Sequence, residues 1–232
     1  MSTAPLAGVF VTGTDTGVGK TTVGCAILRG LRARGRALTP YKPVETAWSS
    51  PKGTDAWRLA GASHGVTPDE VCPVRLRLPA SPRRAARDEG VALSLDARLA
   101  HALALAARGD PLLVEGAGGL LVPLTATETF ADLARALGLP ALVVARDALG
   151  TINHTLLTVE ALQRRGIALV GVALNAASGV DATALDNARE LQALLGDVRV
   201  FGPLPWGDDR ALDEAVAACG LLDAAWSAAR AA

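Results

Sequence analysis

An α/β fold is predicted, a single domain with a mostly parallel sheet flanked by helices on both faces. Two observations carry this. Short runs that are apolar at nearly every position, such as Val9–Val11, PLLVEG and ALVVA, alternate along the chain with stretches of helical periodicity. Strands without polar alternation are buried on both faces, as in parallel sheets covered by crossover helices. No break in composition divides residues 1–232, so one domain is expected, and with 50% apolar residues it can bury a sizeable core.

The elements follow in order. Val9–Val11 is the first strand. Thr21–Arg34 reads as a helix, because Val23, Ile27 and Leu31 recur every four residues and Gly35 stops it. Ala37–Val44 is a second strand, interrupted by prolines. Glu45–Gly90, rich in prolines and charges, is read as helix plus loops, with Thr54 or Asp55 opening a short helix. Leu95, Leu99 and Leu103 mark the next helix, closed by Gly109, and PLLVEG follows as a buried strand. Phe130, Leu133 and Leu137 define a helix that ends at Gly138 and Pro140. ALVVA is a strand, Ile152–Arg165 a helix, ALVGVALN a strand, Asp181–Leu195 a helix, and VRVFGPLPW a last strand.

Bulk properties exclude several classes. With 23 basic and 23 acidic residues the formal net charge is +0, which leaves no electrostatic footprint for nucleic acid or an anionic membrane. No apolar run reaches the length of a membrane span, and MSTAPLAGVF lacks the pattern of a signal peptide. Cys25, Cys72 and Cys219 are scattered, which argues against a disulfide framework or a zinc site and fits a cytoplasmic location. His64, His101 and His154 show no ligand spacing, and no covalent nucleophile stands out.

In parallel sheets, ligands lie beyond the carboxyl ends of the strands. The chemistry-bearing residues cluster there. Gly13–Thr22, GTDTGVGKTT, follows a strand and opens a helix, the context of a phosphate-binding loop, although five residues intervene before Gly19-Lys20-Thr21 instead of four. The glycines admit backbone N–H groups close to phosphate, the helix start favours negative charge, Lys20 can reach the β- and γ-phosphates, and Thr21 can place a hydroxyl on Mg²⁺. Glu115 ends a strand and is followed by glycines, a suitable place for a Mg²⁺-coordinating carboxylate. Asp55 is either a second metal ligand or a helix cap. Lys42 stands at a strand end and can face the phosphates; by itself it would also suit a surface position. The start of the helix after LGTINH can bind a carboxylate or be capped by Thr151 or Asn153. Asn175 can read a base edge or simply form a turn.

Together these segments resemble the dethiobiotin synthetase family of P-loop NTPase-like proteins. The marks are VTGTDTGVGKT, YKPVET, TDA, PASP, VEGAGG, LGTINH, GVALN and LPW, in this order along almost the whole chain, and the five-residue gap in the loop is the family's own form. The resemblance implies an ATP- and Mg²⁺-dependent ligase of biotin synthesis. It would convert 7,8-diaminononanoate and CO₂ into dethiobiotin, through a carbamate and a carbamic-phosphoric anhydride.

It also implies residue roles. Gly17, Val18, Gly19, Lys20, Thr21 and Thr22 wrap the phosphates, and Lys20 and Lys42 are catalytic cations. Thr21, Asp55 and Glu115 hold Mg²⁺, while Gly116, Ala117 and Gly118 border the nucleotide. Asn175 with Pro205, Trp206 and Gly207 match the adenine pocket. Thr46 and Lys42 match substrate contacts. Gly150, Thr151, Ile152 and Asn153 match a helix start that receives the substrate carboxylate from the partner of a homodimer. Ala47, where the family often has Gly, Trp48 and Arg83 depart from the pattern on the substrate side. The rival reading is a nucleotide-switch ATPase of the same fold, which usually carries a lysine near the loop start; Thr14–Val18 has none.

Overall fold

The computed structural model describes residues 6–176 and 186–231. Six strands form one all-parallel sheet: β1 Gly8–Gly13, β2 Thr39–Tyr41, β3 Leu112–Gly119, β4 Ala141–Asp147, β5 Leu169–Ala176 and β6 Val200–Leu204, in the order β2-β3-β1-β4-β5-β6. The α/β prediction is borne out. The helices are α1 Lys20–Ala33, α2 Asp55–Ala62, α3 Pro68–Val71, α4 Pro82–Asp88, α5 Leu95–Ala106, α6 Phe130–Leu137, α7 Thr151–Gln163, α8 Asn187–Leu195, α9 Asp209–Ala218 and α10 Leu221–Arg230.

Side chains on one strand point alternately to the two faces, and here both faces are buried. Val9 and Val11 pack into a core with α1, α2, α9 and α10, whereas Phe10 between them joins the opposite core with α5, α6 and α7. Leu113 and its neighbours Leu112 and Val114 divide in the same way. This double covering is why the strands read as continuous apolar runs.

Three expectations need correction. The second strand is only Thr39–Tyr41, shorter than Ala37–Val44. Beyond it the chain leaves β3: Lys42 N–H donates to the Val71 carbonyl and Glu45 N–H to the Val74 carbonyl. Pro43 has no N–H for a sheet ladder. The strand expected to stop at Glu115 runs on to Gly119, because the glycines that follow pair with β1 again at Gly119, so Glu115 lies within β3; the segment Glu45–Gly90, by contrast, is helix plus loops as expected, with α2, α3 and α4. The chain also continues past β6 into α9 and α10, which the strand-and-helix reading omitted. The helix expected over Asp181–Leu195 is seen as α8 from Asn187; residues 181–185 lie outside the described residues.

The strand order places β1 between β3 and β4. The connections after β1 and after β3 therefore leave in different directions, and a crevice opens at the carboxyl end of β1. The loop Thr14–Gly19, Lys42 after β2, and Glu115 on β3 converge there.

Candidate active site

A cleft of about 700 Å³ opens at this end of the sheet, within the usual range for small-molecule sites. Its phosphate-loop wall comprises Thr16, Gly17, Gly19, Lys20, Thr21 and Thr22. Gly19 has φ 95°, and a Cβ there would lie 2.1 Å from Asn175 Nδ2, so a glycine is required twice over. Asn175 Nδ2 also donates to the Val18 carbonyl at 3.0 Å and ties the loop to β5. Val18 itself is buried in the core. Arg146, at the end of β4, donates to the Gly17 carbonyl at 3.2 Å. Lys20 Nζ bends back to the Asp15 carbonyl at 2.9 Å.

Behind the loop lies a buried polar cluster. Thr21 Oγ1 donates to Glu115 Oε1 at 2.8 Å. Lys42 Nζ donates to the same oxygen at 2.5 Å and to the Gly116 carbonyl at 3.3 Å, and it pairs with Asp55 Oδ2 at 2.8 Å. Glu115 therefore caps no helix, and Thr54 rather than Asp55 is the N-cap of α2. Burial opposes the charge on Lys42, but Glu115 and Asp55 outweigh it and raise its pKa above the ordinary lysine value. Burial would also raise the Asp55 carboxyl, yet Lys42 beside it holds it below the usual range. Lys20 has no such carboxylate contact. Burial, reinforced by the nearby Lys42, lowers it to about 8.

Of the other residues singled out from sequence, Thr46, Ala117, Gly118 and Trp206 line the cleft. Thr22 Oγ1 accepts from Arg58 Nη2 at 3.0 Å. Pro205 and Gly207 flank Trp206 between β6 and α9. Gly150, Thr151, Ile152 and Asn153 are not brought to this cleft; they open α7 beyond β4. Neither Thr151 nor Asn153 caps that helix, because the N-cap is Gly150 at φ 91°, with no side-chain cap.

Glu45, Arg58 and Arg146 were missed. Arg58 sits three residues after Asp55, on the same helix face, a signal that was available. Glu45 stood inside the YKPVET segment, but its partners lie ten and eleven residues away. Ala47 adopts φ 60°, which explains why glycine suits this position.

A family model described as an AAA domain matches residues 7–211. The ATP-dependent dethiobiotin synthetase BioD of Anaeromyxobacter dehalogenans (strain 2CP-C) is 51% identical, covering 91% of this chain and 97% of that one. The chain belongs to the ATP-dependent dethiobiotin synthetase family. It is thereby an enzyme, a ligase. The dethiobiotin synthetase family member of Rhodopseudomonas palustris (strain BisB18) is 40% identical, covering 85% of this chain and 86% of its own. A ParA family ATPase from Chlorobium tepidum TLS shares the fold, at TM-score 0.54 and 11% identity with 97% of both chains covered. The MinC:MinD complex of Aquifex aeolicus does so at TM-score 0.53 and 15% identity, covering 97% of this chain and 93% of that one.

Proposed function

We propose that the protein carboxylates 7,8-diaminononanoate with CO₂ and closes the ureido ring of dethiobiotin, at the expense of ATP. One amine adds to CO₂ and loses a proton, giving a carbamate. A carbamate oxygen attacks the γ-phosphorus, ADP departs, and a carbamic-phosphoric anhydride remains. The second amine attacks the carbonyl carbon and loses a proton, and phosphate leaves with the anhydride oxygen. The observation that supports this is that Lys20, Thr21, Lys42 and Asp55 line one cleft, with the buried Glu115 bonded to Thr21 and Lys42 behind them, in a chain of this family.

Phosphoryl transfer asks for positioning and charge neutralisation more than for a protein nucleophile. The backbone of Gly17–Thr22 cradles the phosphates, and Lys20 neutralises their charge. Lys42 lines the same cleft as Lys20, where a cation would stabilise both the carbamate oxygen and the moving phosphoryl group. Asn175 gives its N–H to Val18 and keeps a buried Oδ1 with no partner among the described residues, an acceptor suited to the amine of adenine. Trp206, Pro205 and Gly207 would flank the base.

The donor set suits Mg²⁺. Glu115 Oε2 is buried and has no partner among the described residues; the Glu115 and Asp55 carboxylates meet on the Lys42 ammonium, and the Thr21 hydroxyl bonds Glu115, so hard oxygen donors are already gathered here. Thr21, Asp55 and Glu115 would hold the ion, which would supply positive charge to neutralise the phosphates.

The start of α7, Gly150–Asn153, is proposed to receive the substrate carboxylate in the cleft of a partner subunit. In support, the helix start lacks a side-chain cap, and Leu149 and Leu157 beside it are 94% and 56% exposed. That assembly is a cytoplasmic homodimer with shared sites. No helix among the described residues is long and apolar enough to cross a membrane.

The test is phosphate release from ATP in the presence of the diamine and bicarbonate, with the product identified by mass. Release should require both. ATP turnover that ignores the diamine but responds to DNA or lipid would favour a nucleotide switch and overturn the assignment.

A further inference from the structure

We propose that Glu45 is a positioning residue. It clamps the first turn of α2 and so holds the Asp55 carboxylate against Lys42 at the phosphate end of the cleft. The inference rests on the proposed role of Asp55 at the metal and phosphates.

The first N–H groups of a helix have no partners within it. In α2 all three of the first N–H groups are taken. Trp57 N–H donates to the Thr54 hydroxyl at 3.2 Å. Asp55 N–H and Ala56 N–H donate to Glu45 Oε1 and Oε2, at 2.7 and 3.1 Å. One carboxylate thus grips two consecutive backbone groups with both of its oxygens. Bonds from N–H to an ionised acceptor are about twice as strong as neutral ones, and negative charge is favoured at a helix start.

Glu45 is itself immobilised. It is 6% exposed. Its N–H donates to the Val74 carbonyl at 2.9 Å, and its own carbonyl accepts from Leu76 N–H at 2.8 Å. The chain that leads into α2 is the opposite case, since residues Ser49–Gly53 are all exposed. Without the clamp, Asp55 would be carried by a frayed turn at the end of an exposed loop.

A helix cap alone does not explain the choice. Thr54 already provides one, and the buried Ala56 N–H needs only a single neutral acceptor. Instead a nearly buried carboxylate stands beside a second carboxylate, Asp55, and makes no ion pair of its own among the described residues. Placing like charges together out of water is unfavourable. The return is orientation: the Asp55 side chain, 37% exposed, is kept 2.8 Å from Lys42. Displacements of about 1 Å at a reacting centre can cost on the order of 100-fold in rate.

The experiment measures binding of a fluorescent ADP analogue as Mg²⁺ is titrated into the full-length wild type, Glu45→Ala, Glu45→Gln, Asp55→Ala and the double variant Glu45→Ala/Asp55→Ala. Thermal unfolding confirms that each is folded. Loss of a partner that orients a metal ligand typically costs about 10- to 100-fold in metal affinity, so half-saturating Mg²⁺ should rise at least about tenfold in Glu45→Ala. Glu45→Gln, which keeps one acceptor oxygen, should recover part of this. If Glu45 acts through Asp55, the double variant should be no worse than Asp55→Ala. The proposal is overturned if Glu45→Ala leaves half-saturation within about twofold of the wild type, if the two single effects multiply in the double variant, or if wild-type binding ignores Mg²⁺. A wild type that binds the analogue with Mg²⁺ but turns over no diamine would remove the proposed reaction and leave the Glu45 assignment standing.

Discussion

Lys42 Nζ lies 2.5 Å from Glu115 Oε1, with both side chains buried, and this contact joins the chain after β2 to the middle of β3. An isolated buried charge is expensive, and a paired one is costly to unpair. The pair therefore serves two purposes. It keeps an ammonium charged in a water-poor place, and it presents that charge at the mouth of the phosphate loop.

Replacing Lys42 by Ala should lower turnover by about 100- to 1,000-fold, the usual scale for removing a preorganised charge from a transition state. Nucleotide binding should persist. The same change leaves Glu115 without its cation, so urea unfolding should show a loss of about 3 kcal/mol. Steady-state phosphate release, titration calorimetry with ATP and urea melts separate these effects. Near-normal turnover would remove Lys42 from the chemistry.

Gly19→Ala should be destabilising and should weaken nucleotide binding by more than about tenfold. The new Cβ would meet Asn175 Nδ2 at 2.1 Å, and the backbone would hold φ 95°. Left-handed backbone costs an L-residue about 1–2 kcal/mol before any clash is counted. Adding Asn175→Ala relieves the clash but not the dihedral, so denaturant midpoints of the double variant should recover only in part. Full recovery would show that the dihedral is unimportant.

Lys20 predicts a pH dependence. Its pKa in the free protein is lowered to about 8, and a bound triphosphate must raise it by direct attraction. Above pH 8 the free enzyme has lost this proton and the complex regains it, so binding takes up a proton and the apparent Kd rises with pH. Calorimetry at pH 8.5 in two buffers of different ionisation enthalpy should register proton uptake. Equal heats in the two buffers would contradict the assignment.

Ala47 lies at φ 60° in the segment that leads from Thr46 to Trp48. Ala47→Gly should relieve the left-handed strain and stabilise the protein by up to about 1 kcal/mol. Urea denaturation measures this directly. A destabilised variant would show that the side chain contributes packing that outweighs its backbone cost.

Much of this was legible in the one-dimensional chain. The phosphate loop, Lys42 and Glu115 are marked locally, because a loop that admits phosphate needs glycines between a strand and a helix, and strand ends are where polar residues interrupt apolar runs. The double-sided burial of the sheet likewise left its trace in Val9–Val11 and ALVVA. Motif resemblance added the family. The amphipathic signal of α9 was present too, in Leu212 and Val216, four apart and both buried.

Tertiary structure decided which of these residues meet. Thr21 and Glu115 are 94 positions apart, and nothing local to either dictates that β3 rather than β2 lies beside β1. That order comes from how the strands and their crossover helices bury apolar surface together, a property of the whole chain. It turned Lys42 into the shared partner of Glu115 and Asp55, cut β2 to three residues, and gave Glu45 a helix start to grip. Sequence patterns report what a residue's neighbours in the chain require of it; contacts across the sheet are fixed only when the layers close.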